Sequence, residues 1–159
     1  TTLYNKDKKD SLNVYDSPNK SPFAKNVTLF SGAGGLLSTT YDYLTFCQML
    51  LNGGEFNGER IIEASTIKLM LEDHADGLKY KALVFGKKKG FGLGFQTVKE
   101  ENTKFGSKGT YGRGGMFGTY FRIDPKENMI FIYMTQSFET YKLKLADKFR
   151  GLVYDSLLK

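Results

Sequence analysis

The spacing of apolar residues changes twice along the chain. Residues 1–27 show no sustained period: Lys, Asn, Asp and Ser dominate, and Pro18 and Pro22 interrupt. This stretch reads as an extended, irregular lead-in. A helical period then sets in. Tyr43, Phe46, Cys47 and Leu50 fall at i, i+3, i+4 and i+7, which is one face of a helix. Thr39 and Asp42 have the spacing of a capping box at its start, and Gly53 and Gly54 stop it. Ahead of it, SGAGG (residues 31–35) reads as a tight glycine turn. A second helix follows in ERIIEASTIKLMLEDH. Ile67, Leu69, Met70 and Leu71 form its apolar side, and Glu63 near its start suits the helix dipole.

From residue 90 the period falls to two. In GFGLGFQTV, Gly90, Gly92 and Gly94 alternate with Phe91, Leu93 and Phe95. One face of such a strand is apolar and the other has no side chains, so a backbone or a ligand can lie against it. YGRGGMFGTYF (residues 111–121) poses a sharper question. Its second half reads as a strand, yet Gly112, Gly114, Gly115 and Gly118 leave much of it bare. Glycine weakens a strand and gives it nothing to pack. Taken alone, these glycines mark a bulge or a close sheet–helix contact ahead of a ligand wall. Asp124-Pro125 starts a turn. MIFIYMT (residues 129–135) is apolar on both faces, as in a strand buried within a sheet, and hairpin spacing makes it antiparallel to the strand before the turn. Leu145, Phe149, Leu152, Val153 and Leu157 fall on one face of a closing helix that covers the sheet. The order is helices, three antiparallel strands and a C-terminal helix: an α+β pattern, with 1–27 as lead-in and 28–159 as one domain.

Composition narrows the chemistry. The chain has 159 residues, within the size of one domain. A single cysteine, Cys47, excludes an internal disulfide, and a single histidine, His74, excludes a two-histidine metal site. Cys47 sits on an apolar helix face and reads as core. His74 lies just past a helix end, where a solvated or carbonyl-bonded ring is expected rather than a catalytic base. The net charge is +6. Its basic residues fall in loops, with Lys6, Lys8 and Lys9 early and Lys87, Lys88 and Lys89 in a turn, and no helix face is uniformly basic. Nucleic acid is therefore not the expected partner. No apolar run is long enough to span a bilayer. The chain opens on Thr1 rather than Met, as a processed or cleaved piece would.

Four segments in order carry a family likeness: SGAGGLLSTTYDYLTFCQMLLNGG, FNGERIIEASTIKLM, GFGLGF and YGRGGMFGTYFRIDPKENMIFIYMTQ. Over roughly residues 28–136 the chain resembles the C-terminal part of the serine β-lactamase-like hydrolases. These include class C β-lactamases, D-alanyl-D-alanine carboxypeptidases and penicillin-binding-protein-like esterases, and the likeness is greatest to the esterase branch. The resemblance implies an acyl-enzyme mechanism on an ester, a β-lactam or a D-amino-acid peptide, with no cofactor and no metal. It favours a periplasmic or extracellular location. It also implies that the glycine-rich strand is one wall of the active site. Arg113, Gly114 and Gly115 stand where the family has a Lys-Thr-Gly, His-x-Gly or Trp-Gly-Gly triplet. The backbone N–H of Met116 would then form half of the oxyanion hole, and Arg113, Gly114, Gly115 and Phe117 would line the substrate. Arg113 departs from the usual Trp or Lys. Its guanidinium suits a substrate carboxylate, and it equally suits solvent.

The family's nucleophile, the serine of Ser-x-x-Lys, and its Tyr motif both precede everything matched here, so the chain reads as the C-terminal portion of a longer enzyme. Ser-x-x-Lys does occur at Ser17 with Lys20, Ser65 with Lys68 and Ser156 with Lys159, but none has a base fixed beside it. Neither Tyr15 nor Tyr154, each in Tyr-Asp-Ser, falls where the family's tyrosine should. A portion of this kind leaves the 129–135 strand as an apolar edge. That edge is expected to pair with the missing N-terminal portion or with a second copy. A non-catalytic binding or interaction module of the same fold is the alternative.

Overall fold

The computed structural model describes residues 1–24, 28–29, 31–32, 34–78, 89–101 and 106–157. Lys87, Lys88 and Lys159, and the middle residue of the SGAGG turn (Ala33), lie outside the described residues.

The lead-in is not irregular throughout. β1 (Leu3–Lys6) and β2 (Leu12–Asp16) pair antiparallel. Asp7 holds their turn: its carboxylate accepts the N–H of Lys9 at 2.8 Å and of Ser11 at 3.0 Å. The next element, α1 (Thr40–Leu51), begins as its capping signal requires, with Thr39 Oγ1 accepting the Asp42 N–H at 3.1 Å. It buries Cys47, Met49 and Leu50; Tyr43 is half-buried, and Phe46 is exposed. A two-residue hairpin follows, β3 (Glu55–Phe56) and β4 (Glu59–Arg60), then α2 (Ala64–Leu71), which buries Ile67 and leaves Leu69 exposed.

The segments expected to supply three strands fold into five. β5 (Lys89–Phe91), β6 (Gln96–Val98), β7 (Tyr111–Gly114), β8 (Tyr120–Asp124) and β9 (Met129–Tyr133) form one antiparallel sheet in that order. GFGLGFQTV is not one alternating strand. Its chain reverses through Gly94, at φ +91°, and the Gly92 N–H donates to the Phe95 carbonyl at 2.9 Å. A backbone does press on one of the bare glycines: a Cβ on Gly92 would lie 2.0 Å from the Met70 carbonyl oxygen. That carbonyl accepts the Leu93 N–H at 2.8 Å, so the end of α2 grips the β5–β6 turn. Asp73 adds a bond from the Phe91 N–H at 3.0 Å and an ion pair to Lys99 at 2.8 Å. Lys89 lies in β5 rather than in a turn, half-buried. Burial, then Arg122 and Arg150, lowers its pKa.

One face of the sheet meets α1 and α2. Phe95, Tyr111, Phe121 and Ile123 pack there with Cys47, Met49, Leu50 and Ile67. At about 25 cal/mol per Å² of apolar surface removed from water, such a cluster dominates the stability of a chain this size. Beneath the other face lie the short α3 (Thr140–Leu143) and α4 (Leu145–Leu157). Here the expected helix face is corrected. α4 buries Arg150 and Tyr154, while Phe149, Leu152 and Leu157 stay exposed. Arg150 is buried because Asp147 pairs with it at 2.8 Å and Tyr120 accepts a further bond. Tyr154 donates its hydroxyl to the Asp124 carboxylate at 2.7 Å. Phe149 still touches the sheet through Phe131, centroid to centroid at 5.1 Å. β9, apolar on both faces, is the last strand of the sheet, as expected of a portion lacking its neighbour, and its outer edge pairs with no other strand among the described residues.

Candidate active site

YGRGGMFGTYF is a hairpin rather than a strand. In β7 and β8, Arg113 stands opposite Phe121 and Gly114 opposite Tyr120. The Gly115 N–H then donates to the Thr119 carbonyl at 2.8 Å and the Gly118 N–H to the Gly115 carbonyl at 3.0 Å. This closes a three-residue loop of Met116, Phe117 and Gly118, with Gly118 in the left-handed region at φ +88°, the pattern of a turn followed by a glycine bulge. Gly118 is required there for a second reason. A Cβ would lie 2.3 Å from Thr135 Oγ1 and 2.5 Å from Thr140 Oγ1.

Met116 is at the tip, with 67% of its surface exposed. Its N–H donates to no acceptor among the described residues. Phe117 faces inward: its carbonyl accepts the Ser137 N–H at 2.9 Å, and its ring meets Phe138 edge-on at 5.1 Å. Arg113 is exposed, with its guanidinium carbon 4.7 Å above the centroid of Phe91. The β5–β6 hairpin therefore flanks the loop and holds a cation beside it. Arg113, Gly114, Gly115, Met116 and Phe117 thus sit together at one end of the sheet, with a free donor, a cation and little side-chain bulk.

The other candidates do not assemble around this loop. Ser17 caps a turn, its carbonyl accepting the N–H groups of Lys20 and Ser21. Ser65 and Lys68 are both exposed on α2. Ser156 donates its hydroxyl to the Val153 carbonyl at 2.7 Å. His74 is bonded to a carbonyl, with Nε2 2.7 Å from the Leu69 oxygen. Burial pushes the Cys47 thiol up to about 12, so it is protonated and inert near neutral pH. Tyr154 is a buried anchor whose hydroxyl pKa is raised, by burial first and by Asp124 second. Among the described residues no group of three or more His, Cys, Asp or Glu is placed to hold a metal ion. Among them, too, no helix is long and apolar enough to cross a membrane.

Tyr15 has a different place: it stacks edge-on against Phe138 at 5.1 Å. Together with Tyr4, whose N–H donates to the Gln136 carbonyl at 2.9 Å and whose carbonyl accepts from Phe138, it joins the N-terminal hairpin to the back of the loop. The sequence offered only a faint signal for this. Leu12 and Val14 alternate with Asn13 in LNVYD, but LYNK places Leu3 and Tyr4 side by side before two polar residues, so no sustained period marks the strands.

A family model described as Beta-lactamase matches residues 1–154, lead-in included. Protein Rv1367c of Mycobacterium tuberculosis is 30% identical over 146 residues, covering 85% of this chain and 35% of that protein. A putative D-alanyl-D-alanine carboxypeptidase of Escherichia coli K12 is 28% identical over 110 residues, covering 66% of this chain and 23% of that protein. The chain therefore spans about a third or less of the length of these relatives. Among solved structures, the LovD6 mutant of simvastatin synthase from Aspergillus terreus superposes with a TM-score of 0.76 at 17% identity, over 98% of this chain and 42% of that one. EstCE1, a hydrolase with promiscuous acyltransferase activity, superposes with a TM-score of 0.62 at 19% identity, over 94% of this chain and 42% of that one. These structures share the antiparallel sheet and closing helix at identities that speak for the fold alone. The match along nearly all of its length decides the lineage: the chain belongs to the beta-lactamase family.

Proposed function

We propose that this chain is the C-terminal segment of a serine hydrolase that works through an acyl-enzyme, and that it supplies the oxyanion side of the active site. The observation that carries this reading is the unpaired, exposed Met116 N–H on a tightly closed loop. An attacking serine oxygen, borne on sequence upstream of the segments described here, adds to the substrate carbonyl. The carbonyl oxygen becomes an oxyanion, and the Met116 N–H donates to it. A fixed donor within about 3 Å of that oxygen stabilises the transition state without reorganising. Collapse expels the leaving group, and water then releases the acyl group. Gly114 and Gly115 keep side chains off the approach, Phe117 fixes the loop, and Arg113 stands where it can meet a substrate carboxylate. The relatives' names span hydrolysis with acyl transfer and D-alanyl-D-alanine carboxypeptidase activity, and a donor of this kind serves both.

The same reading assigns a partner. The open edge of β9 and the exposed Phe149, Leu152 and Leu157 of α4 form a surface for the remaining portion of the fold. Exposed edges of this kind recruit further strands. A second copy seated there would appear instead as a dimer in sedimentation.

The test is intact-mass spectrometry after exposure to a fluorophosphonate. The chain alone is expected to keep its mass, and the protein that includes the upstream Ser-x-x-Lys segment is expected to gain one adduct. An adduct on the chain alone would overturn the reading and leave Ser17, Ser65 and Ser156 to be mapped. No adduct on either protein would favour the non-catalytic binding module.

A further inference from the structure

The direction of the Met116 N–H is set by atoms outside the loop. A trans peptide is planar, so the Gly115 carbonyl and the Met116 N–H point in opposite directions from one plane. The Gly118 N–H bonds that carbonyl at 3.0 Å. Wherever Gly118 is held, the Met116 N–H is aimed the other way. Gly118 in turn is held by residues beyond β9. Thr135 Oγ1 donates to the Gly118 carbonyl at 3.0 Å, and the Ser137 N–H donates to the Phe117 carbonyl at 2.9 Å. The Phe138 ring stands edge-on to Phe117, 5.1 Å away at 86°.

That segment is itself clamped from behind. Tyr4 brackets it with two backbone bonds, its N–H to the Gln136 carbonyl at 2.9 Å and its carbonyl from the Phe138 N–H at 3.3 Å. The Tyr15 ring also meets Phe138, 5.1 Å away at 81°. Three aromatic rings, Tyr15, Phe138 and Phe117, thus run from the N-terminal hairpin to the residue next to the donor.

Resting on the reading of Met116 as an oxyanion donor, we propose that Phe138 and Tyr15 are positioning residues for that donor, with the β1–β2 hairpin as the brace that keeps the loop aimed. Neither touches the reacting atoms. Their removal leaves the donor in place but lets its peptide plane swing, and a misplacement of about 1 Å can cost on the order of a hundredfold in rate.

The experiment follows the backbone amides of the 159-residue chain, labelled with nitrogen-15. Phe138→Ala is expected to shift the Met116 cross-peak and to speed solvent exchange of the Gly118 amide about tenfold, while the Ile67 and Ile123 amides stay as they were. Tyr15→Ala, which alters an exposed side chain with no contact to the loop, is expected to do the same to a smaller extent. Phe138→Tyr keeps the ring and restores the native peaks. If Phe138→Ala unfolds the chain, Tyr15→Ala carries the test. Unchanged peaks and exchange at residues 116–118 in Tyr15→Ala overturn the brace. In the nucleophile-bearing protein, Tyr15→Ala is expected to lower kcat about tenfold with KM within about twofold. A loosened loop with unchanged kcat overturns the positioning role. Met116→Pro, which deletes the N–H, then shows where the error lies: if it too leaves kcat unchanged, the oxyanion reading has failed, and if it alone lowers kcat, only the brace has.

Discussion

Replacing Gly118 with alanine separates two reasons for a glycine. Gly118 and Gly109 both lie in the left-handed region, at φ +88° and +91°. They differ in what surrounds them. A Cβ on Gly109 meets nothing within 4 Å, whereas one on Gly118 lies 2.3 Å from Thr135 Oγ1, 2.5 Å from Thr140 Oγ1 and 2.7 Å from Thr140 Cβ. Both substitutions incur the left-handed strain of an L-residue, about 1 kcal/mol. At Gly118 the two hydroxyls must also turn away. They lose their bond to each other at 2.9 Å and the bond from Thr135 to the Gly118 carbonyl, at about 1 kcal/mol for each bond. Gly109→Ala is therefore expected to cost about 1 kcal/mol and Gly118→Ala about 3 kcal/mol. Urea denaturation followed by far-UV circular dichroism measures both, since the chain has no tryptophan to report by fluorescence. Equal costs, within about 0.5 kcal/mol, would refute the packing of Thr135 and Thr140 against the loop and with it the support beneath Met116.

Met116→Pro removes the proposed donor at a turn position that tolerates proline, so kcat of the nucleophile-bearing protein should fall on the order of a hundredfold or more while the urea midpoint holds; an unchanged kcat would remove Met116 from the mechanism. Burial pulls the Asp124 carboxyl up, but bonds from the Ser107 N–H, the Tyr154 hydroxyl and the Glu127 N–H prevail and hold it below its ordinary value of 3.8. A depressed carboxyl stabilises the fold above its unfolded value and ceases to do so as pH falls through its folded one. Stability should thus decline below about pH 4, and Asp124→Asn should be less stable at neutral pH with a shallower acid decline; parallel acid limbs for the two proteins would contradict this. Cys47, with its thiol pushed up to about 12 by burial, should resist iodoacetamide at neutral pH and react once the chain is unfolded; rapid labelling of the folded chain would place it outside the core.

Local signals in the sequence were reliable wherever the partner was also local. Thr39 and Asp42 marked the start of α1 because a cap is satisfied within four residues. The glycine-rich segments marked close backbone approach, as at Gly92 beneath the Met70 carbonyl, and only the family likeness tied one of them to an oxyanion donor. Their geometry was not legible: tight reversals at Gly94 and Gly118 turned two expected strands into hairpins, and periodicity does not register a turn that keeps its apolar residues in step. The face of α4 was misread for a different reason. Leu145, Phe149, Leu152, Val153 and Leu157 make a genuine apolar stripe, but pattern alone does not say which side meets the sheet. Arg150 and Tyr154 took that side because Tyr120, Asp147 and Asp124 were there to pair with them. The role of the lead-in depended on contacts with Gln136, Ser137 and Phe138, far away in sequence, and no local pattern encodes those.

The order of the sheet bears on how the chain acquires its structure. β5 to β9 each pair with the strand next to them in sequence, so every ladder joins sequence neighbours, the longest connection being residues 99–110. Closure entropy grows with the length of the loop, and topologies rich in local contacts fold fast. The link between Tyr4 and Ser137 is the opposite case, joining the two ends of the chain. The meander can therefore zip up by itself, and the N-terminal hairpin docks onto an already formed sheet. The 115–119 loop would then take shape early and be locked late, and under the proposed reading of Met116 the last contact made in folding would be the one that aims the donor.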